Sequence, residues 1–243
     1  MISKTQIKYL LKLRQKKYRK LHGEFLIEGK KIVQDALHSS FEIKTIWTTP
    51  ENLTLFEPYS NNILLEEITQ QQAEQLSTLK SPEGVFALIK IPSNEIKITE
   101  GPVLLLDFIQ DPGNLGTIIR TADWFGFKAV ICSNNTVDVF NPKTIQAAKG
   151  SIFHIPVVYD ELLTWMNKHN NFDFFATTLS GKDIKTIDFD VNKTAIVIGN
   201  EANGISKEVL NYSDKKITIL KKGQAESLNA AIATSICCFC VNG

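Results

Sequence analysis

The stretch that decides the fold is residues 103–126, VLLLDFIQDPGNLGTIIRTADWFG. It begins with an unbroken apolar run at 103–106, which is typical of a strand buried on both faces of a sheet. Asp111-Pro112-Gly113 predicts a turn, and Asn114 is then the expected N-cap of a helix. Gly126 is expected to end that helix. The helix is indicated by apolar residues at helical spacing, namely Leu115, Ile118, Ile119, Ala122 and Phe125.

The same alternation of strand and helix continues to the end of the chain. Further strands are predicted at 129–133, 153–158, 172–177, 195–199 and 217–220, with the first at 103–108. Helices are predicted near 115–125, 142–149, 160–168, 205–211 and 227–241. This alternation indicates an α/β fold with a parallel sheet covered on both faces. Ligands of such sheets bind at the carboxyl ends of the strands, so the loops at that edge are candidate sites.

A second, smaller α/β unit is predicted before residue 97. Its helices are expected at 4–21, 30–37 and 68–79, and its strands at 25–29, 43–48, 63–65 and 85–91. Residues 92–102 contain several breakers and few packing residues, which predicts a linker. The expected domains are therefore 1–97 and 101–243.

Charge is concentrated near the N-terminus, although the net charge is only +1. Between Lys4 and Lys31 the acidic residues are Glu24 and Glu28. The basic residues there are Lys4, Lys8, Lys12, Arg14, Lys16, Lys17, Arg19, Lys20, Lys30 and Lys31. Two explanations remain open, a surface that binds nucleic acid and a solvated helix face.

Several other classes of protein are disfavoured. No apolar run approaches the roughly 18 residues of a membrane span, and the charged N-terminus does not resemble a signal peptide. We therefore expect a cytoplasmic protein that does not associate with a membrane. The chain has neither a Gly-x-Gly-x-x-Gly motif after a strand nor a phosphate-binding P-loop. Cys132, Cys237, Cys238 and Cys240 lack zinc spacing, so buried thiols are favoured over a metal site and no metal is expected.

Two further loops carry polar residues after predicted strands. The first is residues 199–204, Gly-Asn-Glu-Ala-Asn-Gly, in which Gly199 is expected to let the backbone approach a ligand closely. Glu201 in this loop is either functional or a charge that compensates a helix dipole. The second is residues 221–229, where Ser227 is the expected N-cap of the last helix and Asn229 is either a ligand contact or a local cap. Arg120 lies off the apolar stripe of its helix, where it is either a phosphate contact or a plain surface residue.

Together, the three loops resemble the three signature motifs of the SpoU (TrmH-like) family in the SPOUT superfamily. The first reads Asn114-x-Gly116-x-x-x-Arg120-x-Ala122-x-x-Phe125-Gly126. The second reads Ile198-Gly199-Asn200-Glu201-x-x-Gly204-Ile205. The third reads Ser227-Leu228-Asn229. The N-terminal part, around Phe25-Leu26-Ile27-Glu28-Gly29, is similar to the L30e-like domain that binds substrate in such proteins.

The resemblance implies a trefoil-knotted catalytic domain, a homodimer and S-adenosylmethionine as cofactor. It assigns the catalytic neighbourhood to Asn114, Arg120, Glu201, Ser227 and Asn229. It assigns cofactor contacts to Thr178, Leu179, Gly199, Asn200, Gly204, Ile219 and Leu228. One departure concerns the third motif, where the family usually has Pro-Met and this chain has Leu220-Lys221.

The activity implied by the resemblance is methylation of a ribose 2′-hydroxyl in RNA. Ribosomal RNA is favoured over transfer RNA because of the N-terminal domain. A methyltransferase acting on transfer RNA, or a non-catalytic RNA-binding protein with the same fold, is the alternative. Because arginine is effectively always protonated, Arg120 is expected to stabilise negative charge rather than to act as a simple general base.

Overall fold

The computed structural model describes residues 2–93, 97–213 and 215–243. They form two sheets with helices packed on them. The helices are α1 (Lys4–Lys12), α2 (Lys16–His22), α3 (Lys30–Leu37), α4 (Leu53–Phe56), α5 (Gln70–Leu76), α6 (Pro112–Trp124), α7 (Pro142–Ala148), α8 (Leu162–Lys168), α9 (Lys207–Tyr212) and α10 (Ala230–Asn242). The strands are β1 (Glu24–Glu28), β2 (Ile43–Thr48), β3 (Leu64–Glu67), β4 (Val85–Lys90), β5 (Val103–Leu106), β6 (Ala129–Ser133), β7 (Val157–Asp160), β8 (Asp173–Asp183), β9 (Thr194–Ile198) and β10 (Lys215–Thr218). In the described part of the chain, no helix is long and apolar enough to cross a membrane.

The larger sheet confirms the predicted α/β fold class. Its strand order is β10-β8-β9-β5-β6-β7, and each neighbouring pair is parallel. The central strands β5 and β9 are fully buried, as expected of a sheet covered on both faces. The loops that follow β5 and β9 therefore start side by side at one edge. The trefoil knot stays a prediction.

The smaller sheet shares its core with the larger one. Its strand order is β1-β4-β2-β3, in which β4 is antiparallel to β1 and β2 whereas β3 is parallel to β2. One face packs against α1 and α5 around Leu10, Trp47 and Phe86. The other face belongs to the same apolar cluster as β5 and α6. The rings of Phe25 and Phe140 lie at this junction, with their centroids 4.3 Å apart.

The second half of the predicted linker packs against the larger sheet. Residues 94–96 lie outside the described residues. From Ile98 onward the chain packs against the larger sheet, where Ile98, Gly101 and Pro102 are buried. The Gly101 amide donates a hydrogen bond of 2.6 Å to the Asn192 carbonyl. The boundary between domains 1–97 and 101–243 stays a prediction.

The predicted helix at 4–21 is wrong, since the chain forms two helices with a break at residues 13–15. The break turns Arg19 inward, and its Nη1 donates hydrogen bonds of 2.8 Å to the carbonyls of Leu13 and Arg14. These carbonyls lie at the end of α1, where a helix leaves them without partners of its own. The apolar periodicity of the segment is similar on both sides of the break, so it gives no sign of it.

The predicted strand at 153–158 is also wrong in its first half. Ser151–Phe153 form a 3₁₀ turn, and β7 begins only at Val157. The apolar residues Ile152, Phe153 and Ile155 are buried as the pattern suggests. A short apolar run does not distinguish a buried turn from a buried strand, which explains the error.

An ion pair between Arg19 and Asp138 joins the two units. Arg19 is 2% exposed, and its Nε lies 3.0 Å from Asp138 Oδ2, with Nη2 on the same oxygen. Nearby, Gln146 Nε2 donates to the Glu28 carbonyl at 2.9 Å. Arg19 is therefore a structural residue, although the sequence grouped it with the basic surface.

We predict that Arg19→Met lowers the free energy of unfolding by about 3–5 kcal/mol, because Asp138 and the two carbonyls lose their buried partner. Urea denaturation monitored by circular dichroism measures the change. Lys20→Met is the matched control, because Lys20 is exposed on the same helix and its replacement changes stability by no more than about 0.5 kcal/mol. Equal midpoints for the two variants would contradict the assigned role.

Candidate active site

A cavity of about 870 Å³ opens at the carboxyl edge of the larger sheet. Its size lies within the roughly 300–1,000 Å³ that is usual for small-molecule sites. The structure brings all the predicted cofactor residues to its wall, namely Thr178, Leu179, Gly199, Asn200, Gly204, Ile219 and Leu228. Of the predicted catalytic residues, Glu201 and Ser227 also line it.

An outward loop of β8 forms the first wall. Ala176 pairs with Lys216 of β10, whereas Ile217, the next residue of β10, pairs with Lys182. Residues 177–181 therefore loop out between these pairs and carry Thr178 and Leu179 to the cavity. Gly181 makes the loop possible, since a Cβ there would lie 2.8 Å from the Lys216 backbone. The predicted strand at 172–177 is shorter than β8, and the pattern alone gives no sign of this loop.

The second wall is the loop at 199–205, which the side chain of Asn200 organises. Asn200 Oδ1 accepts hydrogen bonds from the amides of Ala202 and Asn203, at 2.8 and 3.1 Å. Its Nδ2 donates to the Phe108 carbonyl at 2.9 Å, which ties the loop to the end of β5. Backbone hydrogen bonds between Asn200 and Gly204 close the turn. The side chain of Asn200 therefore fixes the conformation of the loop at 199–205.

Gly199 has a role in the loop besides the expected one. We expect the missing side chain to make room for a ligand. In addition, a Cβ at Gly199 would lie 2.3 Å from the Gly204 carbonyl carbon and from the Ile205 amide nitrogen. Gly199 is therefore required because the loop packs against its own backbone at that point.

Three predicted catalytic residues form one chain of hydrogen bonds. Asn114 Nδ2 donates to Glu201 Oε1 at 2.5 Å, and Asn229 Nδ2 donates to Asn114 Oδ1 at 3.0 Å. Each residue comes from a different motif. The structure therefore joins the loops that follow β5, β9 and β10 through their side chains, beside the cavity.

The residues that cap α6 and α10 differ from the expected ones. The observed caps leave the side chain of Asn114 available for the hydrogen bonds just described. Asp111, not Asn114, caps α6 by accepting from the Asn114 amide at 2.7 Å. Asn229, not Ser227, caps α10 by accepting from the amides of Ala231 and Ile232. The Asn114 side chain is thereby left for Glu201 and Asn229, and Ser227 is exposed on the cavity wall.

The structure does not bring Arg120 into this cavity. It is exposed on α6, six residues after Asn114, and it is not among the cavity-lining residues. Six residues correspond to about 9 Å along a helix axis and to a different face. Thr117 and Trp124 share the exposed face of Arg120, at helical spacing.

Other residues of the site were missed from the sequence. Asp107 is buried at the end of β5, and its Oδ2 accepts from the Ser206 amide at 2.7 Å. An acidic residue directly after a buried strand was the available signal. Lys221 and Lys222 line the cavity, which places the departure from the family pattern within the site.

The burial of the cysteines agrees with their interpretation as buried thiols. Cys132, Cys237 and Cys238 are buried, and Cys240 is partly buried. Cys237 lines the cavity, where burial raises the pKa of its thiol to about 12. A thiol with such a pKa stays protonated at neutral pH and is a poor nucleophile. Across residues 2–93, 97–213 and 215–243, no cluster of three or more potential metal ligands occurs.

The cavity fits S-adenosylmethionine in chemistry as well as in size. Ile198, Ile217, Ile219 and Leu228 give it apolar surface that suits an adenine ring and the carbon chain of methionine. The loops at 177–179, 199–205 and 219–228 surround that surface with backbone polar groups.

Two family models match the chain. Residues 101–239 match the SpoU rRNA Methylase family, and residues 4–87 match the MRM3-like substrate binding domain. The chain belongs to the SpoU rRNA methylase family.

Individual members of the family are similar over nearly the whole chain. The 23S rRNA (guanosine(2553)-2'-O)-methyltransferase RlmP of Bacillus subtilis is 34% identical, covering 98% of this chain and 96% of that protein. The 23S rRNA (uridine(2479)-2'-O)-methyltransferase of Streptomyces viridochromogenes is 28% identical, covering 88% and 80%. The structure of an rRNA methyltransferase from Sinorhizobium meliloti with bound AdoMet has a TM-score of 0.89 at 31% identity, covering 99% and 96%.

Two predictions from the SpoU motifs are thereby confirmed. The chain is an RNA methyltransferase, and its cofactor is S-adenosylmethionine. The roles of the individual site residues stay predictions, supported by the geometry of the three loops.

We predict that Gly199→Ala weakens S-adenosylmethionine binding at least about tenfold, or ~1.4 kcal/mol, because the added Cβ displaces the loop at 199–205. Isothermal titration measures the affinity. Gly223→Ala is the matched control, since Gly223 also lines the cavity but an added Cβ would meet nothing within 4 Å. Hydrogen exchange without cofactor separates the two explanations for Gly199. Faster exchange at 199–205 is expected, and unchanged exchange would favour loss of ligand space instead.

Proposed function

We propose that this chain transfers the methyl group of S-adenosylmethionine to a ribose 2′-hydroxyl of ribosomal RNA. The observation that carries the proposal is the hydrogen-bonded series Glu201–Asn114–Asn229 beside a cavity fitted to the cofactor. The two 23S rRNA methyltransferases among the relatives support the choice of substrate. The cytoplasmic location expected from the sequence is part of the proposal, and the two bacterial relatives support it.

The site orients a weak nucleophile. S-adenosylmethionine supplies an electrophilic methyl group on a sulfonium centre, so the ribose oxygen has to be aligned with that methyl and relieved of its proton. Asn114 holds Glu201 through Oε1. The other carboxylate oxygen of Glu201 would accept a hydrogen bond from the ribose hydroxyl and take up its proton, while the methyl group passes to the ribose oxygen and S-adenosylhomocysteine leaves. Asn229 fixes the Asn114 amide in the orientation that this arrangement needs.

A homodimer explains where Arg120 acts. The exposed stripe of α6 that contains Arg120 ends at Trp124, which is 84% exposed. Next to it α10 exposes Ile232 and Phe239, the latter 62% exposed and in contact with Phe125 of the α6 C-terminus. Exposed apolar patches of this kind mark protein–protein interfaces, and homodimers with two-fold symmetry are the commonest assembly.

In such a dimer the Arg120 of one protomer is supplied to the cavity of its partner. The guanidinium stabilises the negative charge that develops on the ribose oxygen and contacts an adjacent phosphate. The observation that favours this arrangement is the position of Arg120 on the proposed interface and away from the cavity of its own chain.

We predict that Arg120→Ala lowers the turnover number by roughly 10²–10⁴ while cofactor affinity is preserved. Transfer of tritiated methyl groups to RNA measures turnover. Mixing Arg120→Ala with Gly199→Ala under conditions of subunit exchange, at a cofactor concentration too low for Gly199→Ala to bind it, is expected to restore activity, since a mixed dimer contains one intact site. Arg120→Ala with more than half of wild-type turnover would remove the residue from the mechanism, and failure of the mixture would place it in its own site.

We predict that the double variant Ile232→Glu/Phe239→Glu is monomeric and inactive, because two charges cannot be buried at the α6–α10 interface without partners. Light scattering coupled to gel filtration measures the mass. Leu64→Glu is the control, since Leu64 is exposed to a similar degree but lies on β3 of the smaller sheet. A wild-type monomer, or a double variant that remains dimeric, would contradict the proposed interface.

The substrate itself is tested by methylating purified ribosomal and transfer RNA and mapping the 2′-O-methyl groups by mass spectrometry. We expect modification of ribosomal RNA at one nucleotide. Modification of transfer RNA alone would replace the proposed substrate. Cofactor binding without methylation of any RNA would favour the non-catalytic alternative.

A further inference from the structure

Three aromatic rings meet on the outer surface of α1 and α2. His22 packs its ring against the rings of Tyr9 and Tyr18, with centroids 5.0 and 6.5 Å apart. The Tyr18 and His22 rings are nearly parallel, at 12°. Leu21, three residues after Tyr18 on α2, is 73% exposed, and His22 is exposed as well. A helix that had only to be solvated would not need this apolar and aromatic face.

The cluster is held in place from below. The Tyr9 hydroxyl donates a hydrogen bond to Glu24, whose other carboxylate oxygen accepts one from Lys44. Although burial raises the pKa of Glu24, the hydrogen bonds from Lys44 and Tyr9 hold it below its usual value. The anionic Glu24 therefore anchors Tyr9, and Tyr9 supports the His22 ring edge-on. A ring that is already fixed loses little entropy when a ligand stacks on it.

Lysines surround the cluster. The ammonium groups of Lys17 and Lys12 lie 4.8 and 5.6 Å from the centroid of the Tyr18 ring. Lys16 and Lys20 are exposed on the same helix. No acidic residue occurs between Lys4 and Lys20, and Glu24 is already paired with Lys44. The surface combines aromatic faces with unneutralised positive charge.

We infer that Tyr18 and His22 stack on an unpaired base of the RNA substrate, while Lys12, Lys16, Lys17 and Lys20 contact the phosphates on either side. Aromatic side chains next to lysines are the usual means of holding single-stranded RNA. Duplex RNA hides the faces of its bases, so the site selects an unpaired segment. The inference rests on the proposed function in that it takes RNA as the partner.

Two other basic residues of the segment do not belong to this site. Arg19 is buried against Asp138, and Arg14 donates to the carbonyls of Leu76 and Ser77 at 3.0 and 2.9 Å. Both arginines are engaged by protein groups. The lysines of the segment remain available for RNA. The two arginines therefore have a structural role, and the lysines are the groups proposed to bind.

Binding of a short single-stranded RNA that contains 2-aminopurine tests the inference, with no cofactor present. Stacking quenches the fluorescence of this base. We expect quenching with the wild-type chain and its loss in Tyr18→Leu and in His22→Leu, each with about tenfold weaker binding, within the range for one lost stacking contact. His38→Leu is the matched control, since His38 is also exposed at the end of a helix, α3.

Salt dependence separates stacking from charge. The two stacking variants are expected to keep the wild-type slope of log K against log salt. Replacing Lys12, Lys16, Lys17 and Lys20 with glutamine is expected to lower that slope by about 0.7 for each lost phosphate contact. Thermal unfolding and S-adenosylmethionine affinity, unchanged in all variants, confirm that they are folded.

The outcomes distinguish this inference from the proposed function. Wild-type affinity and quenching in both stacking variants would overturn the inference, as would equal binding of single-stranded and duplex RNA. An effect of the lysine variants alone would reduce the site to a nonspecific charged surface and overturn the stacking role. Specific quenching by a chain that methylates no RNA would leave the inference standing and refute the proposed function.

Discussion

The two hydrogen bonds of the Asn114 side chain hold the proposed active site together. They join residues that are 87 and 115 positions away in the sequence, Glu201 and Asn229. The parallel sheet starts the loops after β5 and β9 side by side, but backbone pairing alone would leave their side chains free to turn. Because Asp111 caps α6, the Asn114 side chain need not cap its own helix. The chemistry of the site therefore depends on a local choice of helix cap.

The sequence allowed the fold class and the neighbourhood of the site to be predicted, because both follow from short-range patterns. Apolar runs alternating with helices indicate a parallel sheet, and polar loops after buried strands indicate its functional edge. The caps were assigned wrongly because Asp111 and Asn114, or Ser227 and Asn229, are all good capping residues within three positions of each other. Only the tertiary structure decides between them.

Contacts between distant residues could not be predicted in the same way. Nothing around Arg19 shows that its partner is Asp138, and a row of basic residues looks uniform until the fold buries one of them. The loop-packing role of Gly199 could not be predicted for a related reason. A glycine in a loop indicates a close approach, but the sequence does not say whether the approaching group is a ligand or the backbone of Ile205.

The core that the two sheets share has a consequence for how members of such a family diverge. Halves that share a continuous apolar interface are expected to move little relative to each other, in contrast to domains joined by a small polar contact. The distance between the aromatic surface on α2 and the cavity at the sheet edge is then nearly constant. An RNA that contacts both sites has to place its unpaired base and its target ribose at that distance. A change of target nucleotide is therefore expected to arise from altered surface side chains or loop lengths, and not from a new angle between the halves.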